Sequence, residues 1–155
     1  MMSRQFAFDV FADYHQFYVQ DGGIFPEAPT DWTDEDVQRR AKTIDHVVVI
    51  CPVRNMTVPV VLELHDSEPA INLSDYDHVV QCSLELPSGE LQVHECTGGE
   101  VLRQTVAPGR YAVLALFLGL DTIDAMGLEG NDTYRILLWP TSSTLPLAVL
   151  KAWTE

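Results

Sequence analysis

Basic side chains are scarce in this chain. Nine lysines and arginines stand against 23 aspartates and glutamates, a formal net charge of −14 on 155 residues. A surface with that balance repels nucleic acid and anionic membranes. The one basic cluster, Arg39, Arg40 and Lys42, is offset by the acids just before it. Cysteine is scarce as well. Cys51, Cys82 and Cys96 are an odd, widely spaced set and make no disulfide framework. No apolar run approaches the roughly 20 residues of a membrane helix; the longest, 111–118, is the size of a strand. The N-terminal residues Met1-Met2-Ser3-Arg4-Gln5 lead into a stretch carrying Asp9 and Asp13, without the uninterrupted apolar core of a signal peptide, so a cytoplasmic location is expected.

Signatures of catalysis are missing too. The chain has no GxSxG elbow and no GxxxxGK[ST] or GxGxxG phosphate loop. Its five histidines form no HxH or HxxxH pair. Four of them adjoin an acid in sequence, but neighbouring residues on a strand face opposite ways, so these doublets are not ready-made dyads. Asp121, Asp124, Glu129, Asn131 and Asp132 lack the fixed alternation of a calcium loop. No enzyme activity, metal or cofactor is expected from these patterns, although two carboxylates joined only in space would not show in a sequence.

What remains is an apolar share of 46%, enough to build a core in one domain over 1–155. The apolar residues alternate with period two, the pattern of half-buried strands. Residues 5–19 read as one long strand or two joined by a bulge. Further strands are predicted at 44–51, 58–64, 78–86, 91–96, 101–106, 111–118 and 133–139, with turns at Pro87-Ser88-Gly89, Gly98-Gly99 and Pro108-Gly109. A two-residue turn at Ser88-Gly89 would make a hairpin pairing Leu86 with Leu91 and Leu84 with Val93, placing Cys82 on the buried face and Cys96 on the opposite one. Thr33-Asp34-Glu35-Asp36 has the form of a capping box with Asp in place of Glu, and predicts one short helix to about Lys42. The tail after Pro140 fits a helix or a final strand. The fold class is mainly β, an antiparallel β-sandwich with one short helix after the first strands.

Two acidic segments are candidate partner-binding surfaces, each weighed against a plain solvated face. The first carries Asp31, Asp34, Glu35 and Asp36 around Trp32, which is either a staple against the helix or an interface anchor. The second carries Asp121, Asp124, Glu129 and Asp132. His15 sits between aromatics in Tyr14-His15-Gln16-Phe17 and has either a structural or a binding role. Acids of this number favour encounter with a basic protein.

Tyr14-His15-Gln16-Phe17, followed by Asp31-Trp32-Thr33-Asp34-Glu35, resembles the N-terminal half of the bacterial competence protein J (ComJ) family of nuclease inhibitors. Pro108-Gly109-Arg110-Tyr111 and Asp132-Thr133-Tyr134 resemble that family's later turn and last strand. The resemblance implies a non-enzymatic protein that binds a nuclease and blocks its DNA-binding cleft. Such a cleft is basic because it holds phosphates. Two other readings stay open: a small-ligand-binding β-sandwich module, and a hydrolase with paired carboxylates.

Overall fold

Alternating apolar residues organise eleven strands into two facing sheets in the computed structural model, which describes residues 3–154. Met1, Met2 and Glu155 lie outside the described residues. In chain order the elements are β1 (Ser3–Phe11), β2 (Phe17–Asp21), α1 (Asp34–Arg39), β3 (Ala41–Ile44), β4 (Val47–Ile50), β5 (Thr57–His65), β6 (His78–Leu86), β7 (Glu90–Glu95), β8 (Glu100–Thr105), β9 (Gly109–Leu118), β10 (Thr133–Pro140) and β11 (Ala148–Lys151). One sheet has the order β1-β5-β10-β9-β6-β11, the other β3-β4-β2-β7-β8. The pairings are antiparallel except that β10 runs parallel to β5, with Tyr134 opposite Val60. The expected β-sandwich with one short helix is the fold observed.

Val58, Val60 and Leu62 of β5, Tyr134, Ile136 and Leu138 of β10, and Cys82, Leu84 and Leu86 of β6 meet Phe17, Val19, Ile50, Leu91 and Val93 of the second sheet in one core. Each side chain of this size contributes roughly 1.5–3 kcal/mol when buried, so the two sheets hold each other. The outer face of the first sheet is covered as well. Val79, Leu114, Leu116 and Leu137 pack there with Tyr76 and Trp139, and Ile71 and Leu145 close over them. Strands buried on both faces read as near-continuous apolar runs, as 111–118 does.

Three local expectations give way to corners and turns. Residues 5–19 are two strands in different sheets: β1 pairs with β5, β2 with β4 and β7. A 3-10 turn at Asp13–His15, with Tyr14 and His15 at φ 58° and 56°, swings the chain across the sandwich. The stretch 44–51 is a hairpin of β3 and β4 that turns at Asp45-His46, and α1 stops before Arg40, so Lys42 belongs to β3. The tail takes one of its two expected forms, a final strand, β11.

The predicted hairpin at Ser88-Gly89 is also a corner. Leu86 pairs with Gly109 in one sheet, and Leu91 pairs with Gln104 and Asp21 in the other. Both leucines fill the same core from opposite sides. An alternating pattern is identical for a ladder and for a chain that crosses between facing sheets, since either buries the same residues. Gly89 adopts φ +72°, and a Cβ there would stand 2.8 Å from the Val106 carbonyl oxygen. Asp21, the last residue of β2, is fully buried and anchors this corner. Its carboxylate accepts from the Ser88 hydroxyl and from the amides of Ser88, Gly23 and Ile24. Burial opposes the charge, but these donors outweigh it and hold the carboxyl below its usual range.

The cysteines stay apart, as the period-two pattern indicated. Cys82 lies in the central core, where burial pushes its thiol up to about 12. Cys96 is half-buried on the outer face of the second sheet beside Tyr18, and all three cysteines are free.

Candidate functional site

The strand registers send one set of connections to the same end of the sandwich. Phe11 lies opposite Thr57, Phe17 opposite Ile50 and Glu95, and Leu118 opposite Thr133. The links 12–16, 51–56, 96–99 and 119–132 therefore gather there, together with the end of α1 and the tail after β11. Tyr14-His15-Gln16-Phe17 is part of this end. Phe17 is buried in the core, whereas Tyr14 is 67% exposed. His15 donates from Nδ1 to the Pro52 carbonyl at 3.1 Å, and Gln16 Oε1 accepts from the Tyr18 hydroxyl at 3.1 Å. A carbonyl can only accept, so the His15 bond fixes the proton on Nδ1.

α1 begins with the capping box read from the sequence. The Thr33 hydroxyl accepts from the Asp36 amide at 3.1 Å, and the Asp36 carboxylate accepts from the Thr33 amide at 3.0 Å. Asp36 is buried and also receives Lys42 Nζ at 2.6 Å. Lys42, with Thr33 assisting, holds its carboxyl down at about 2. Asp36 is thus placed inside the fold and not on the acidic surface. Asp31, Asp34 and Glu35 are exposed, and Glu35 meets Arg39 along the helix at 3.1 Å. Trp32 is half-buried against Tyr18, Val47, Val49 and Cys51, with Lys42 Nζ 5.7 Å from its ring centre.

The two segments that carry the family resemblance meet in space. Tyr14, His15 and Gln16 from one, and Trp32 from the other, line a cavity of about 380 Å³ with Val37, Arg40, Cys51, Pro52 and Val53. A larger cleft, about 510 Å³, opens at the opposite end beside Asp45, His46 and Pro146, and none of the expected site residues lines it.

The second acidic segment lies at the same end of the sandwich as the cavity lined by Tyr14 and Trp32. Asp121, Asp124 and Glu129 are exposed in the connection from β9 to β10. The Leu128 amide, bonded to Asp124 at 2.9 Å, leads the donors that hold that carboxyl below its usual range. Asp132, by contrast, is fully buried. It accepts from Arg54 Nε at 2.7 Å and from the Tyr134 hydroxyl at 2.6 Å, so it is an internal strut. The same tyrosine oxygen accepts from the Val53 amide at 3.0 Å, and Arg54 also donates to the Leu128 carbonyl at 3.0 Å. Burial and the neighbouring Asp132 push the Tyr134 hydroxyl far above its ordinary pKa. Val53 lines both the cavity and a second hollow with Asp121, Asp124, Met126 and Trp153, so both acidic segments border one surface. Exposed apolar side chains stand among them: Phe11, Tyr14, Val37, Met56, Leu128 and Met126, the last 77% exposed.

Sequence reasoning missed His78. It is fully buried, donates from Nε2 to the Arg39 carbonyl at 2.8 Å, and accepts on Nδ1 from the Trp153 amide at 3.1 Å. It thereby joins the end of α1 to the C-terminal tail, where Trp153 faces the Arg40 guanidinium at 5.1 Å. The Asp77-His78 doublet carries no sign of either long-range partner. Among the described residues no three His, Cys, Asp or Glu side chains are placed to hold a metal ion, and no helix is long and apolar enough to cross a membrane.

The fold has counterparts among solved structures. The crystal structure of ComJ from Bacillus subtilis, inhibitor of the DNA degrading activity of NucA, matches with a TM-score of 0.72 at 19% identity, over 91% of this chain and 100% of ComJ. The chain has the ComJ fold. The crocagin biosynthetic gene J structure matches with a TM-score of 0.55 at 22% identity, over 90% of this chain and 99% of its own. No protein-family model and no curated protein matches the sequence. The likeness to ComJ implied by Tyr14–Phe17 and Asp31–Glu35 is therefore met at the level of the fold.

Proposed function

We propose that this protein acts by binding and not by catalysis, as an inhibitor of a nuclease or another basic effector inside the cell. The carrying observation is the ComJ fold; exposed Asp31, Asp34, Glu35, Asp121, Asp124 and Glu129, and exposed apolar side chains such as Tyr14, Val37 and Met126, support the reading. A nuclease cleft is basic because it must hold phosphates, and exposed carboxylates on a chain of net charge −14 match that potential and speed encounter. Tyr14, Val37 and Met126 would then be covered by the partner, as apolar and aromatic residues are at interface centres. Asp36 and Asp132 support the surface from within by fixing α1 and the connection from β9 to β10.

The test starts from the native host's lysate. Proteins captured on the immobilised chain at low salt are eluted with a salt step and assayed for DNA degradation, with and without added protein. Stoichiometric suppression of a nuclease in the eluate is expected. An eluate whose nuclease activity the protein leaves untouched would overturn the reading.

The cavity beside Trp32 favours a second reading, a small-ligand-binding module. That reading requires a metabolite which raises the melting temperature with no partner protein present.

A further inference from the structure

We infer that the free edge of β1 pairs two copies of this chain, strand to strand, about a two-fold axis at Ala7. β1 is nine residues long and stands at the end of its sheet, laddered with β5 alone among the described residues. The other three edges are blunted. β3 and β11 have four residues each, and the pairing of β11 slips between Val149 and Lys151. β8 joins β7 through a slip at Val93 and His94, and Arg103 of β8 pairs with Glu90 and Glu100. β1 has neither proline nor bulge, and its register with β5 is unbroken from Ser3 to Phe11. A long, regular edge with open amides and carbonyls is a template for another strand.

Two amides fix which residues face that edge. The Ala12 N–H donates to the Met56 carbonyl at 3.0 Å, on the side of β5, whereas the Phe11 N–H turns away to the Glu95 carboxylate at 2.7 Å. Backbone groups alternate in direction along a strand, so Gln5, Ala7 and Asp9 present theirs to the open edge. Antiparallel pairing centred on Ala7 bonds Gln5 to Asp9 of the second copy and Ala7 to its own counterpart. Phe6 then lies opposite Phe8 of the second copy in a closely spaced pair, where aromatic side chains interact. Both phenylalanines are half-buried against the core, so a second copy covers what the fold leaves open. Gln5 and Asp9 are exposed and match as amide and carboxylate. Centring on Asp9 would instead oppose two carboxylates. The edge offers a basic partner one acid, Asp9, offset by Arg4, so charge does not favour a foreign strand over a second copy. One strand pair is a small interface, under roughly 1,200 Å², so a micromolar dimer is expected.

Sedimentation velocity of the full chain at about 100 μM, above the expected micromolar constant, tests the pairing. A dimer is expected, and its fraction should rise with added salt, because two copies of net charge −14 repel each other. Capture of a basic protein weakens with salt, so the two events separate. Ala7→Pro deletes an amide that β5 does not use, and Ala7→Lys sets two like charges on the axis. Each should weaken dimerisation about tenfold or more, with the urea midpoint of unfolding unchanged. Gln5→Lys brings an ammonium opposite Asp9 of the second copy at two symmetric places, and should strengthen the dimer about threefold. A monomer at every salt concentration would overturn the inference, as would a dimer that both Ala7 variants leave intact. A monomer whose suppression of a captured nuclease is lost in Ala7→Pro would also overturn it, giving the edge to a strand of the nuclease.

Discussion

Arg54 and Asp132 meet at 2.7 Å in the interior, 78 residues apart in sequence, and the Tyr134 hydroxyl closes on the same carboxylate. Through them the connection that carries Val53 is fastened to the acidic connection between β9 and β10, so the cavity and the second hollow share one frame. Removing one partner of a buried ion pair leaves the other charge uncompensated. Asp132→Ala should therefore lose about 3–5 kcal/mol in urea denaturation. A loss within about 1 kcal/mol, the range of an exposed pair, would show that the pair does not hold this end.

Steering by exposed acids has a kinetic signature. Neutralising Asp31, Asp34 and Glu35 together as D31N/D34N/E35Q should slow association with the captured nuclease about tenfold at low salt and leave dissociation nearly unchanged. Folding stability should move by no more than about 0.5 kcal/mol, since these side chains lie on the surface. Stopped-flow mixing across a salt series reads both rates. Unaltered association at low salt would assign the charge to solubility instead.

His78 gives stability a defined pH dependence. Burial favours the neutral imidazole and the Arg40 charge adds to this, against the Arg39 carbonyl, so the folded pKa lies below the ordinary value of 6.5. The unfolded chain then takes up the proton first. The stabilisation is complete above about pH 6.5 and is lost as the pH falls through the lower folded value. Protonated Nδ1 can no longer accept from the Trp153 amide, so the tail should loosen with the transition. Thermal melts between pH 8 and pH 5 should show this loss, with a shallower slope in His78→Gln. Identical slopes would remove His78 as the cause.

The corner at Gly89 should tolerate no side chain. A Cβ would combine a left-handed φ with a 2.8 Å approach to the Val106 carbonyl oxygen. Gly89→Ala is expected to lower stability by about 1–3 kcal/mol, measurable by chemical denaturation. A neutral result would mean that the corner rearranges freely.

Much of the local structure was legible in the chain. The alternation of Val58, Val60 and Leu62 fixes a strand with one buried face, and Thr33 with Asp36 fixes the start of α1, because both patterns depend on neighbours a few residues away. The acidic excess and the absence of nucleotide-loop motifs are likewise properties of composition. Long-range placement was not legible. Leu86 and Leu91 look the same in a hairpin and across a sandwich, and Asp36 and Asp132 look like the exposed acids beside them.

The sequence by itself thus determined the strand faces, the helix cap, the charge and the separation of Cys82 from Cys96. Tertiary structure decided which carboxylates are surface and which are struts, because that depends on a cation reached only after folding: Lys42 for Asp36, Arg54 for Asp132. It also decided that Tyr14 and Trp32 share a cavity and that His78 ties α1 to the tail. Such contacts join residues through chain closures that no local periodicity encodes.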